Sequence, residues 1–121
     1  HELLDHRVGA ALAGVAPRFF RAPAGLRSPL LDPLLQRVGL QLASWTRRGF
    51  DTVSTDAETV LARLSRDLHA GDILVLHDGH AARGARGEPI VLQVLPRLLE
   101  LIATRRLRTI TLRAALPQAQ A

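Results

Sequence analysis

His77 and Asp78 close the run Ile73-Leu-Val-Leu, an apolar stretch with no polar lead-in. An imidazole at such a place can carry a proton or ligate a metal. A continuous run of branched residues reads as a strand covered on both faces, of the kind found in parallel sheets. Polar groups at the carboxyl end of such a strand face the crevice where α/β domains and barrels build their sites. Arg21 stands between Phe19-Phe20 and the turn Ala22-Pro23-Ala24-Gly25, a setting that does not suggest a solvated face. Asp51 follows Gly49 and either belongs to the same chemistry or caps a turn. His69 suits the negative end of a helix. His77 and His80 could form a metal pair, but two ligands without a carboxylate cluster make a poor site.

The elements that position these residues alternate between helix and strand. Leu3, Leu4, Val8, Ala11, Leu12 and Val15 recur at helical spacing, which predicts a helix ending near Gly14. Arg18–Arg21 is expected as a short strand. Pro29–Val38 reads as a helix with Leu30, Leu31, Leu34, Leu35 and Val38 inward, and Leu40–Trp45 as a strand, followed by a polar loop through Arg47, Arg48, Gly49 and Asp51. Thr55-Asp-Ala-Glu58 reads as a capping box. It opens a helix with Val60, Leu61, Leu64 and Leu68 on one face, stopped by Gly71. After the Ile73–Leu76 strand, the loop from Gly79 to Pro89 is glycine-rich and expected to be mobile and near the site. Val91–Thr104 is an amphipathic helix, Arg108–Leu112 a last strand, and residues 114–121 a flexible tail. Four strands alternating with helices imply parallel βα units, whose strand ends would gather Arg21, Trp45 and His77 at one rim.

Composition limits the function classes. With 121 residues and 47% hydrophobic content, the chain can bury one modest core. The net charge of +5 comes from sixteen basic residues that are all arginine, a pattern of codon bias more than of a nucleic-acid face. Three Phe, one Trp and no Tyr leave few rings on which bases could stack, so no nucleic acid is expected as a partner. The chain has no cysteine, hence no disulfide framework or thiolate metal site. No apolar run is long enough for a membrane span. The chain begins at His1, so the lack of a leader says nothing of localisation.

Three blocks carry a resemblance: Arg21-Ala-Pro23-Ala24-Gly25 after Phe-Phe; Leu-Ala-Ser-Trp45 leading to Gly-Phe-Asp51-Thr; and Gly-Asp-Ile-Leu-Val-Leu-His77-Asp78. In order and spacing they resemble the third, fourth and fifth motifs of the polysaccharide deacetylase family, the NodB homology domain or carbohydrate esterase family four. The resemblance implies an α/β fold, part of a distorted (β/α) barrel. It implies a metal-dependent hydrolase that removes N-acetyl groups from a polysaccharide or amino sugar, with a divalent metal, zinc, in the complete domain. On that resemblance His77 is the general acid that protonates the leaving amine, and Arg21 holds the base carboxylate. Asp51 orients local charges, and the Ala24 N–H helps to stabilise the oxyanion. Val75, Leu76 and Trp45 wall the acetyl methyl, with Pro23, Gly25 and Asp78 also in the substrate-binding set.

The chain departs from the family pattern in informative places. Ala24 replaces the usual aromatic of the third motif, and Thr52 the tryptophan of the fourth, so sugar-stacking surface is lost. The first motif, with the base and a metal-ligand aspartate, and the second, with a histidine pair, are not found. His1 and His6 are the only upstream histidines, and a separation of five places them on different sides of a helix. Residues 1–113 are therefore expected to be the C-terminal portion of such a domain, without metal ligands and inactive alone, with another segment or chain completing the barrel. Two alternatives stand beside this: a catalytically silent carbohydrate-binding relative, and an interaction module whose leucine faces pair with another chain. His77 as a structural histidine, and Trp45 as plain core, are the corresponding bland readings.

Overall fold

The computed structural model describes residues 14, 16–22, 25 and 28–116. The first expected helix, up to residue 13, lies outside the described residues, as do Pro23, Ala24 and residues 117–121. The chain divides into two compact units, His1–Ser44 and Trp45–Ala121. Each is built on a βαβ unit with a parallel two-stranded sheet.

In the first unit, β1 (Phe19–Phe20) pairs with β2 (Gln41–Leu42), with Phe19 opposite Gln41 and Phe20 opposite Leu42. Between them runs α1 (Leu31–Val38). Phe20, Ala22, Leu35 and Leu40 form the core, with Leu31, Val38 and Leu42 packed against it. Leu31, Leu35 and Val38 repeat at helical spacing, so they share the inward face. Leu30 and Leu34 were expected inward as well. They fall on the adjoining stripe and are exposed, Leu30 by 72%, because an eight-residue helix with one small sheet beneath it buries one stripe only. Gly39 ends the helix in the left-handed region at φ 72°, where a glycine carries no side-chain penalty.

In the second unit, β3 (Arg47–Arg48) pairs with β4 (Leu74–Val75), with Arg47 opposite Leu74 and Arg48 opposite Val75. The connection carries α2 (Ala57–Ser65). It is followed by α3 (Val91–Thr104) and the four-residue α4 (Leu112–Ala115). Val60, Leu61 and Leu64 of α2 interlock with Ile90, Val94, Leu98 and Ile102, and Leu68, Leu74, Leu76 and Ala82 pack around them. These seven central side chains form a continuous apolar layer between the two helices. No helix among the described residues is long and apolar enough to cross a membrane.

Several boundaries differ from the sequence expectation for identifiable reasons. The polar loop expected after Trp45 contains β3, because Arg47 has a specific use that composition does not show. Its Nε donates to Asp72 Oδ2 at 2.7 Å. Its terminal nitrogens donate to the carbonyls of Arg66 and, at 2.7 Å, Asp67. Those carbonyls lie just past α2, so the helix stops at Ser65 and not at Gly71, with Asp67 turning at φ 52°. Asp56, not Thr55, caps α2. The Glu58 N–H donates to Asp56 Oδ1 at 3.2 Å, and the Thr59 hydroxyl to Oδ2 at 2.6 Å. Aspartate is at least as good a cap as threonine, and Glu58 pairs with Arg97 instead of reaching back. The strand expected over Arg108–Leu112 is absent. Thr111 accepts the Ala114 N–H and caps α4, so residues 114 and 115 of the expected tail are helical.

Asp72 is the node of this unit. Besides Arg47, it accepts the Thr46 hydroxyl at 2.8 Å and the His69 N–H at 3.0 Å. Burial alone would raise its carboxyl, but the bonds from Arg47, His69 and Thr46, with the Arg47 charge, outweigh it and hold the group well below the usual carboxylate range. A carboxyl lowered in the folded state contributes stability that is present above its unfolded value of about 3.9 and is lost as pH falls below that. Asp72→Asn is expected to cost about 1–3 kcal/mol at neutral pH and to make urea-unfolding stability fall less steeply below pH 4 than in the parent. An unchanged pH profile would show that Asp72 is not the source of the acid sensitivity.

Candidate active site

The second unit brings together Asp51 and His77. Because β3 and β4 are parallel neighbours, the residues just past their carboxyl ends come out on one side of the sheet. Asp51 follows β3 by three residues and His77 follows β4 by two. The His77 N–H donates to Asp51 Oδ2 at 2.6 Å, and His77 Nδ1 lies 2.9 Å from Asp51 Oδ1. An ionised carboxylate only accepts, so Nδ1 carries the hydrogen of that bond. The ring is thereby fixed in two places, with Nε2 left on the other edge. Asp51 is 1% exposed and the His77 side chain 44%. A buried anion thus orients a half-exposed imidazole, an arrangement suited to handing a proton to a bound molecule.

The turn that places Asp51 is built tightly. Gly49 passes over α2 so closely that a Cβ would lie 2.6 Å from Val60 Cγ1 and 3.0 Å from the Val60 carbonyl oxygen. Phe50 follows at φ 58°, a region bulky residues rarely adopt. Its carbonyl accepts the Val53 N–H at 3.1 Å and the Ser54 N–H at 2.8 Å, which closes the turn around Asp51. The Asp51 carbonyl in turn accepts the Ala82 N–H at 2.7 Å. That bond anchors the Gly79–Pro89 loop, which was expected to be mobile. The loop also holds itself through Arg83 to Gly87 O at 2.6 Å and Gly84 N–H to Glu88 O at 2.8 Å.

Gly49→Ala is expected to cost about 1–3 kcal/mol through overpacking against α2. It should also shift Asp51 away from His77, seen as a change in the His77 amide resonance. A parent-like melting temperature would mean that the strand end yields more easily than its neighbours suggest.

The remaining expected site residues are distributed as follows. Val75 is buried, and Leu76 packs on the core. Trp45 is half-buried and stands two residues before β3. The sequence reading ended a strand at Trp45, whereas β3 begins after it. Asp78 is exposed and its Oδ1 accepts the Gly79 N–H at 2.7 Å, as a turn former does. Arg21 and Gly25 lie in the first unit. Arg21 is exposed and donates to the Ser44 carbonyl at 3.4 Å, and the Gly25 N–H donates to Ala22 O at 3.0 Å. Among the described residues no group of three or more His, Cys, Asp or Glu could hold a metal ion, and His80 does not form one with His77. Asp51 and His77 are engaged with each other. Gly49 and Phe50 stood in the fourth block of the sequence without a role of their own; a glycine and an aromatic squeezed between a strand and an aspartate was the available signal.

Comparison with known structures supplies the fold. The chain superimposes on a family 4 carbohydrate esterase from Streptomyces lividans, solved in complex with acetate, with a TM-score of 0.72 and 23% identity. The match covers 93% of this chain and 54% of that one. Over the matched part the chain therefore shares the fold of that esterase. The chain spans about half the length of the esterase it matches. No protein-family model matches the sequence, and no curated protein matches it.

Proposed function

We propose that this chain carries the proton-donating part of a deacetylase that hydrolyses the N-acetyl amide of a polysaccharide or amino sugar. The observation that carries the reading is the His77–Asp51 pair at the ends of adjacent parallel strands, on a fold shared with a carbohydrate esterase. Amide hydrolysis needs an acid because the amine leaves poorly until it is protonated. Asp51 fixes the ring by Oδ1 on Nδ1, so the proton delivered to the leaving nitrogen comes from Nε2. The same resemblance gives Arg21 to a base carboxylate, the Ala24 N–H to the oxyanion, and Pro23, Gly25, Trp45, Val75, Leu76 and Asp78 to the substrate. Metal dependence, with zinc as the metal, rests on the resemblance alone, since the described residues do not make its site. Its ligands, and the base, would come from another segment or chain that completes the barrel, and residues 1–113 alone would be inactive.

The test is acetate release from N-acetylated oligosaccharides, measured for the chain alone and for the protein that contains it, before and after chelation. Release by the complete protein that is lost on chelation and restored by zinc supports the proposal. Sugar binding without acetate release from either sample would instead establish the catalytically silent relative.

A further inference from the structure

Phe50 holds two guanidinium groups on its ring. Arg48 Cζ lies 4.2 Å from the ring centroid and Arg63 Cζ 5.3 Å. Arg48 comes from the end of β3 and Arg63 from α2, so the gathering joins separate elements. Both lie on exposed residues and share one ring, so each feels the other's like charge at low ionic strength. Among the described residues neither forms an ion pair with a carboxylate; Arg63 Nη1 donates to the Gly49 carbonyl at 3.2 Å. The ring itself is 42% exposed and stands on a left-handed backbone. Strained backbone of this kind tends to collect at binding sites. Phe50 is also the residue next to Asp51, which orients His77.

We propose that Arg48, Arg63 and Phe50 form an anion-binding subsite beside the His77–Asp51 pair, taking a carboxylate, sulfate or phosphate on the glycan. The placement beside the reacting sugar rests on the deacetylase reading; the anion preference does not. An anion held at the guanidiniums offsets their like charge and gains charge-assisted hydrogen bonds.

The experiment is titration of the full chain with oligogalacturonate, a sulfated oligosaccharide, a phosphorylated oligosaccharide and a neutral chito-oligosaccharide. Anionic sugars should bind more tightly than the neutral one, and which of them binds best identifies the group recognised. Arg48→Gln should weaken the anionic ligand by up to about fivefold at low salt and leave the neutral one unchanged. Arg108→Gln, an exposed arginine elsewhere in the unit, should change neither. Equal losses in the two variants would reduce the effect to diffuse charge and overturn the subsite. So would the absence of an anionic preference, or tighter Arg48-dependent binding of a single-stranded oligonucleotide. His77→Ala should keep the parent anion affinity, so failure of the subsite and failure of the acid role are read separately.

Discussion

Replacing His77 with alanine in the complete protein that contains this chain should, on the deacetylase proposal, lower the rate of N-acetyl amide hydrolysis by about 10²–10⁴-fold, the range expected when a positioned general acid is removed. The loss should depend on the leaving group. An amide nitrogen has to be protonated as it departs, whereas a phenolate departs as an anion. An acetyl ester of a phenol should therefore be spared most of the loss, and measuring kcat on both substrates separates an acid from a merely structural imidazole. Equal losses on amide and ester would remove His77 from that role. Folding should be little affected. The His77 N–H still reaches Asp51 Oδ2, and the space left by a ring that is 44% exposed admits water to Oδ1.

Asp51→Asn keeps the shape of the site and reverses its proton logic. The His77 N–H needs an oxygen at the position of Oδ2. The asparagine therefore places its oxygen there and turns its NH₂ toward Nδ1. Nδ1 must then accept, which fixes the hydrogen on Nε2 of the neutral ring and leaves no acceptor for a second one on Nδ1. Amide turnover of the complete protein should then fall by about 10²–10⁴-fold, the scale on which a wrong tautomer acts in an acid–base site. Ring ¹⁵N shifts of His77 should show the exchanged tautomer. Parent-like shifts together with parent-like turnover would mean that Asp51 orients nothing of consequence.

The sequence shows some of these features and hides others for physical reasons. α3 was legible to the residue because its apolar period runs unbroken for 14 residues. The strand before His77 was legible because it is apolar throughout, although only Leu74 and Val75 pair. β3 was illegible because a strand made of Arg47 and Arg48 looks like solvated loop. Its identity rests on the Asp72 node, formed by residues 25 positions apart. Arg108–Leu112 has strand composition, but no strand among the described residues takes it up. His77 was named from the strand that it closes and Asp51 from its motif block, yet neither spacing nor composition shows that one binds the other through two bonds. The strand expected up to Trp45 was read too long, since β2 stops at Leu42 and β3 starts only at Arg47.

Asp51 is bound at both of its polar ends, by its carboxylate to His77 and by its main-chain carbonyl to Ala82. The lip formed by residues 79–89 and the imidazole therefore share a single hinge pin. Lifting the lip loosens the ring, and a ligand that stiffens the ring should hold the lip shut. The amides of His77 and Ala82 should then exchange with deuterium as a single cooperative unit and gain protection together when the site fills.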